Sequence, residues 1–159
     1  MNSPALPASV CKAYQLSLDA LRDSVLLALR LYLAWVFFKA GLTKIEDWSS
    51  TLSLFEYEYA VPLLPPAIAA FMGTAGELLL PPLLAFGLAT RFAAIGLFVV
   101  NAMAVISYPA LWGFECPAAI QSHFFWGAGL LVLLSSGGAR LACDAWLCRR
   151  SRSAPGSSA

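Results

Sequence analysis

Residues 71–91 read FMGTAGELLLPPLLAFGLATR, an apolar run that holds a single carboxylate, Glu77. About 20 apolar residues are enough for a helix to cross a bilayer, so Glu77 is expected near the middle of the membrane. An ionisable side chain there is costly and is by default a candidate functional group. Pro81 has no amide hydrogen, so the Glu77 carbonyl four residues earlier loses its helical partner. A neutral Glu77 that only holds the helices together is the alternative to a reactive role.

The composition is that of an integral membrane protein. The chain has 159 residues, of which 60% are hydrophobic and 12% are charged, and its mean hydropathy is +0.73. A soluble domain would have about twice that charged fraction. With a net charge of +1 and no basic cluster, the chain offers nothing that points to nucleic-acid binding. The cysteines show no CxxC spacing and do not fix a redox compartment; they are Cys11, Cys116, Cys143 and Cys148.

The apolar runs predict an all-α fold, a bundle of four transmembrane helices. The predicted spans are residues 24–41, 67–86, 92–108 and 123–136. Four segments follow: an N-terminal segment (1–23), the four-helix membrane domain (24–136), an amphipathic segment that is a candidate C-terminal helix (137–150), and a disordered Ser/Pro/Gly tail (151–159). The loop between the first two spans carries aromatic side chains typical of a membrane surface, namely Trp48, Tyr57 and Tyr59.

The lysines and arginines predict the orientation of the chain. With the N-terminus inside, the cytoplasmic side holds Lys12, Arg22, Arg91, Arg140, Arg149, Arg150 and Arg152. The opposite side holds only Lys39 and Lys44. Because cytoplasmic loops are enriched in basic residues, this bias places both chain ends in the cytoplasm.

Polar residues in three spans suggest a site inside the bundle. Counted from the predicted span ends, Arg30 lies roughly 10 Å from the cytoplasmic face, and Glu77 and Asn101 lie about 14 Å from it. An arginine facing lipid is costly, so we expect Arg30 to pair with Glu77, with Asn101 nearby. This pair is a candidate proton relay. A purely structural pin that fixes the order of the helices is the alternative.

The outer side offers a weaker candidate site. Cys116 and His123 carry the thiolate and imidazole groups that copper favours. Two ligands seven residues apart are a weak signal, and a histidine at this position is more often a helix-start residue. The sequence contains no nucleotide-binding glycine loop, HExxH, GxSxG or haem-attachment motif, and its single histidine argues against b-type haem ligation by this chain alone.

Several short motifs, taken in order, resemble the DoxX/DoxD family of small four-helix membrane proteins. They are an arginine early in the first helix, a G-x-x-K element at its end, a glutamate in the second helix and a G-L-x-T-R turn into the third. The matching positions are Arg30, Gly41, Lys44, Glu77, Gly87, Leu88, Thr90 and Arg91. The resemblance covers about residues 24–136.

The resemblance implies a multi-pass protein of the bacterial inner membrane with a redox-associated function. On this interpretation the chain is a quinone- or thiol-linked oxidoreductase subunit, in which Glu77 and Arg30 relay protons or contact quinone. The further candidate binding residues are Asn101, Lys39, Lys44 and Arg91. The alternative is a non-catalytic accessory or scaffold protein for a copper-binding peptide or for metal stress, with Cys116 and His123 as ligands. Either function implies a membrane or periplasmic protein partner. A third possible function is transport, for which four helices would need to form a homo-oligomer.

Overall fold

The computed structural model describes residues 7–113, 117–137 and 140–146. These residues form helices and turns and contain no strand. The helices are α1 (Ala8–Glu46), α2 (Trp48–Tyr57), α3 (Pro66–Phe86), α4 (Thr90–Ser107), a 3-10 turn (Pro109–Trp112) and α5 (Pro117–Ser136). Helices α1, α3, α4 and α5 are long and apolar enough to cross a membrane. The predicted fold, an all-α membrane protein with four spanning helices, is confirmed.

Helix α1 is much longer than the predicted first span. It has 39 residues and is therefore about 58 Å long. It extends back to Ala8, directly after Pro7, because residues 8–23 contain no proline or glycine that would interrupt it. At its other end Asp47 separates α1 from α2 and accepts a hydrogen bond from the Ser50 amide. The hydrogen bonds from Ser50 and Ser49 lower the pKa of Asp47 to about 2.

The four long helices form a bundle in which neighbours run in opposite directions. Helix α1 packs against α3 and α5, and α4 packs against the same two helices. The buried core consists of Leu26, Leu33, Ala34, Phe37, Leu84, Ala93, Ala94, Leu97, Leu130 and Leu133. A glycine permits the closest approach of α1 to α3, since a Cβ atom on Gly41 would lie 2.9 Å from the Leu78 side chain. The helices are therefore in contact at the level of Glu77.

The proline pair lies within α3 without ending it. Pro81 is buried, and the helix continues past Pro82 to Phe86. Gly87 then adopts a left-handed conformation with φ of 69° and ends the helix. A side chain is disfavoured there both by this backbone conformation and by space, since a Cβ atom would lie 2.6 Å from that of Ala142. The predicted tight turn between the second and third spans therefore depends on this glycine.

The chain after α5 folds back over the end of the bundle. Asp144 accepts hydrogen bonds from the amides of Ala89 and Thr90, both at 2.8 Å, and from the Thr90 hydroxyl at 2.9 Å. It thus caps the start of α4. Burial alone would raise the pKa of Asp144, but these hydrogen bonds and the nearby charge of Arg30 outweigh burial and lower it.

The predicted amphipathic segment at 137–150 is described in part. The described part, residue 137 and residues 140–146, holds a single helical turn at 143–146. The predicted tail at 151–159 lies outside the described residues. Arg140 pairs with Asp19 at 2.8 Å, so the chain after α5 contacts α1 about three turns after its start. We call this end of the bundle, with Arg30, Gly87 and Asp144, the capped end.

Candidate functional site

A buried ion pair joins α1 to α3 at the end of the bundle opposite the capped end. The Lys44 Nζ atom lies 2.5 Å from Glu77 Oε2. The exposed fraction of the side chain is 22% for Lys44 and 10% for Glu77. Gly41, one turn before Lys44, allows the close approach, since a Cβ atom there would lie 3.1 Å from the Glu77 carbonyl carbon. Lys44 is therefore the charged partner that Glu77 requires.

The predicted pairing of Arg30 with Glu77 is wrong. Arg30 donates a hydrogen bond of 3.1 Å to the Leu141 carbonyl and packs against Gly87 at the capped end. Gly87 follows Glu77 by ten residues, or about 15 Å along the helix axis. Depth counted from predicted span ends cannot fix the register of two helices. In the antiparallel pair of α1 and α3, Glu77 lies opposite Lys44, about 21 Å along α1 from Arg30.

Asn101 and His123 link α4 to α5 inside the bundle. The Asn101 side-chain amide donates to the His123 carbonyl at 3.0 Å, and its oxygen lies 2.9 Å from His123 Nδ1. Asn101 is buried, and the His123 ring packs edge-on against Trp126.

A cavity of about 370 Å³ opens beside the ion pair, between α2, α3, α4 and the loop after α2. Lys44 and Glu77 belong to its wall, and most of the remaining wall is apolar: Phe55, Val61, Leu64, Ala69, Met72, Val99, Val100, Met103 and Ala104. The Ser107 hydroxyl also belongs to the wall, is buried, and has no hydrogen-bond partner within the described ranges. The cavity is thus a largely apolar chamber with a small number of polar groups.

Tyr59 closes part of this cavity. Its ring packs edge-on against Phe55 and Tyr108, with centroids 4.7 Å and 5.0 Å away. Burial raises the pKa of Tyr59, and the neighbouring acidic groups, above all Glu77 and Glu58 at neutral pH, raise it further, so its hydroxyl keeps its proton. The sequence pattern assigned Tyr59 to the membrane surface together with Tyr57. Tyr57 is 80% exposed, whereas Tyr59 faces the cavity.

Three other predicted site residues lie away from the cavity wall or cannot be placed. Lys39 is exposed on α1. Arg91 is exposed beside Gly137, at the C-terminal end of α5, where a positive charge favours the helix dipole. Cys116 lies outside the described residues. The parts of the chain that can be described contain no group of three or more His, Cys, Asp and Glu side chains placed to hold a metal ion. The copper site therefore stays a prediction.

Two of the groups that shape the site were not singled out from the sequence. Ser107 lies one residue before the end of the third predicted span and resembles any small helix-end residue, so no local pattern marks it. Tyr59 had a signal, because it follows Phe55 by four residues and such pairs lie on one face of a helical turn. Lys44 was included as a binding candidate, but its role as the partner of Glu77 was missed.

The model of the DoxX family matches residues 25–110 of the chain. The chain belongs to the DoxX family. A relative from Haemophilus influenzae, described as an uncharacterized protein, is 32% identical over 122 residues, which are 75% of this chain and 80% of the relative. No solved structure matches the chain. The DoxX match includes Lys44, Glu77 and Asn101, whereas His123 and the segment that caps α4 lie beyond it.

This DoxX protein therefore carries an ion pair in the wall of a mostly apolar chamber. The attraction between the two charges becomes stronger when a ligand replaces the water that still surrounds them. Lys44 and Ser107 offer hydrogen-bond donors to such a ligand, and Glu77 offers an acceptor that can take up a proton. The chamber is shaped for a ligand that is apolar on most of its surface and has a few hydrogen-bond acceptors.

Proposed function

We propose that this DoxX protein is the quinone-binding membrane subunit of an oxidoreductase that takes electrons from thiols. The single observation that carries the proposal is the placement of the Lys44–Glu77 ion pair in the wall of an apolar cavity. In this proposal a protein partner oxidises the thiols, and this chain binds the quinone that is reduced. We further propose that the chain lies in the bacterial inner membrane with the capped end in the cytoplasm, on the strength of the lysine and arginine bias.

The cavity residues fit the chemistry of a quinone ring. Its volume, about 370 Å³, lies in the range of small-molecule sites. Phe55, Met72 and Met103 offer apolar and polarizable contacts to a flat ring. A buried hydroxyl without a partner costs about 1–3 kcal/mol. A ring oxygen that accepts from Ser107 would remove this cost.

The ion pair and the aromatic residues of the cavity wall have distinct tasks in this proposal. A bound quinone would supply a two-electron couple: it takes two electrons and two protons to become a quinol, while two thiols on the partner become a disulfide and release the same numbers of electrons and protons. Lys44 donates a hydrogen bond to a ring oxygen and orients the ring. Glu77 accepts a proton from the chamber side and returns it, with Lys44 stabilising its ionised form. Tyr59 and Phe55 limit the access of water.

Quinone content tests the proposal directly. The protein is purified from native membranes in a mild detergent, and quinone is extracted and quantified per chain. We expect wild-type protein to retain quinone, or to bind added quinone saturably, and Lys44→Met to lose most of it. Lys39→Met is the matched control, because it removes an exposed lysine of the same helix that does not line the cavity. Equal quinone content in the two lysine variants would contradict the proposal.

Turnover separates binding from proton transfer. In native membranes, thiol-dependent quinone reduction is measured for wild type and for Glu77→Gln, which keeps the size of the side chain and one acceptor oxygen but cannot ionise. We expect Glu77→Gln to bind quinone but to reduce it more slowly. A protein that neither retains quinone nor changes thiol oxidation, yet copurifies with a partner and alters copper tolerance when deleted, would favour the accessory function instead.

A further inference from the structure

The first part of α1 projects beyond the rest of the bundle. Helices α3, α4 and α5 have 18–21 residues, whereas α1 has 39. At the capped end, Arg140 contacts Asp19 and Asp23 of α1. Residues 8–18 continue past this point for about 16 Å. These residues are therefore outside the span that the other three helices define.

A regular apolar stripe follows this projecting helix and continues into the membrane span. Its members are separated by alternating steps of three and four residues: Cys11, Tyr14, Leu18, Leu21, Val25, Ala28, Tyr32 and Trp35. Every one of them is exposed. This spacing is the a and d pattern of a heptad repeat, which underlies two-stranded coiled coils. We call these eight residues the heptad stripe.

The rest of the bundle uses the other side of α1. Leu26 and Leu33 occupy the b position of the same heptads and are buried in the core. Phe37, at the f position, is also buried. Outside the core, Arg140 contacts Asp19 at b and Asp23 at f. Because the b and f positions lie on the side of a helix away from a and d, the heptad stripe from Cys11 to Ala28 points away from its own bundle. Within the span the stripe approaches the neighbouring helices, since Tyr32 accepts a hydrogen bond from Trp126 at 3.3 Å.

Lipid can cover only part of this stripe. Tyr32 and Trp35 lie within the span, where exposed aromatic side chains are ordinary. Tyr14, Leu18 and Leu21 lie in or next to the projecting part, and their exposed fractions are 61%, 41% and 62%. A continuous apolar surface in water marks an interaction site more often than chance exposure does.

We propose that the heptad stripe is a dimer interface against which α1 of a second copy of this chain packs in parallel. Two copies inserted in one membrane with the same orientation hold their α1 helices parallel, with a twofold axis along the membrane normal. The stripe then meets itself in register, as an isologous interface requires. The shared membrane also keeps the two helices close, so two heptads outside the bilayer suffice to extend the contact.

The flanking positions agree with this partner. In a parallel pair, Ser17 at g faces Arg22 of the second copy at e, so no like charges meet there. Val25, a β-branched residue at a, and Leu21 at d are the combination typical of two-stranded coiled coils. Ala28 at d permits close approach as the helices enter the membrane. The dimer does not depend on quinone binding, and the two proposals can fail separately.

Cysteine cross-linking in native membranes tests the register. With Cys116, Cys143 and Cys148 replaced by serine, the remaining cysteine is Cys11, at an a position. A short bis-maleimide should convert most of this protein to a covalent dimer. In a Cys11→Ser background, Tyr14→Cys and Leu18→Cys should do the same, whereas the controls Lys12→Cys and Leu16→Cys, at b and f, should remain at background. Equal cross-linking at all five positions, or none at position 11, would overturn the proposal.

Charge substitution tests the same interface without cross-linking. Leu21→Glu places a carboxylate at d, opposite its own copy, and should halve the protein mass that light scattering reports for the detergent-solubilised complex. Leu16→Glu is the matched control, because Leu16 is 55% exposed but occupies the f position. It should leave the dimer intact. A monomeric wild type, or equal masses for the two variants, would refute the parallel dimer.

Discussion

Removing Lys44 while keeping Glu77 tests the ion pair most sharply. Methionine at position 44 keeps an unbranched side chain of similar length but removes the ammonium group. Glu77, 10% exposed, then loses its charged partner inside the bundle. Breaking a buried ion pair from one side costs about 3–5 kcal/mol. Because Glu77 can take up a proton, we expect a loss near the lower limit, about 3 kcal/mol of the free energy of unfolding.

The substitution of the other partner, Glu77→Met, is expected to lower the free energy of unfolding by less than Lys44→Met does. Glu77→Met leaves Lys44, whose side chain is 22% exposed and can turn toward the cavity mouth. The expected loss is about 1–2 kcal/mol, that of one unsatisfied polar group. The double variant Lys44→Met/Glu77→Met replaces the pair by apolar side chains, which is often nearly neutral. Its cost should therefore lie well below the sum of the single costs, with a coupling of about 2 kcal/mol or more.

Equilibrium unfolding by SDS in mixed micelles, followed by helical circular dichroism, measures these differences. Lys39→Met serves as the control and should change the free energy of unfolding by less than about 0.5 kcal/mol, because Lys39 is exposed. If the costs at positions 44 and 77 simply add, or if Lys44→Met behaves like Lys39→Met, the ion pair does not stabilise the bundle as argued here.

Three further predictions concern the helix ends and the second polar pair. Asp144→Ala should cost about 1–2 kcal/mol by removing the cap of α4. Because folding lowers the pKa of Asp144, its stabilisation is complete above the unfolded pKa and is lost as pH falls through the folded pKa, so wild type and Asp144→Ala should converge in stability in acid. Gly87→Ala should lower the midpoint of unfolding strongly, owing to its φ of 69° and its contact with Ala142, whereas Gly113→Ala, with a φ of −75°, should be tolerated. Asn101→Leu leaves His123 Nδ1 without its partner and should cost about 1–3 kcal/mol in the same titration.

The fold could be predicted because a helix that spans a membrane is recognised in the sequence as a long apolar run. Helices α1, α3, α4 and α5 are each long and apolar enough to cross a membrane, and a helix satisfies its own backbone hydrogen bonds inside a bilayer. The fourth predicted span, 123–136, was too short, because α5 begins at Pro117. The helix ends were less certain, since α1 begins sixteen residues before its predicted span. Residues 8–23 are polar enough to leave the membrane but contain no proline or glycine that would stop a helix.

The candidate site was predicted in part. Glu77 and Asn101 appeared among the sequence candidates because polar groups within apolar runs are conspicuous. Lys44 was a candidate through the G-x-x-K element of the resemblance, and His123 only as a copper ligand. Their grouping was wrong for Glu77, because Arg30 appeared to be the nearest cation by depth. Depth along one helix does not reveal which face of the neighbouring helix lies opposite. That register is set by packing, here by the contact of Gly41 with the turn that carries Glu77.

The motif that first suggested the family separates into two clusters in space. Gly41, Lys44 and Glu77 meet at the cavity, whereas Arg30, Gly87 and Thr90 meet at the capped end. Arg30 donates a hydrogen bond to a backbone carbonyl and lies against the turn after α3. We therefore expect Arg30→Met to lower stability but to leave quinone content per folded chain unchanged, in contrast to Lys44→Met. If Arg30→Met instead emptied the cavity of quinone without unfolding the protein, the division of the motif into a binding cluster and a structural cluster would be wrong.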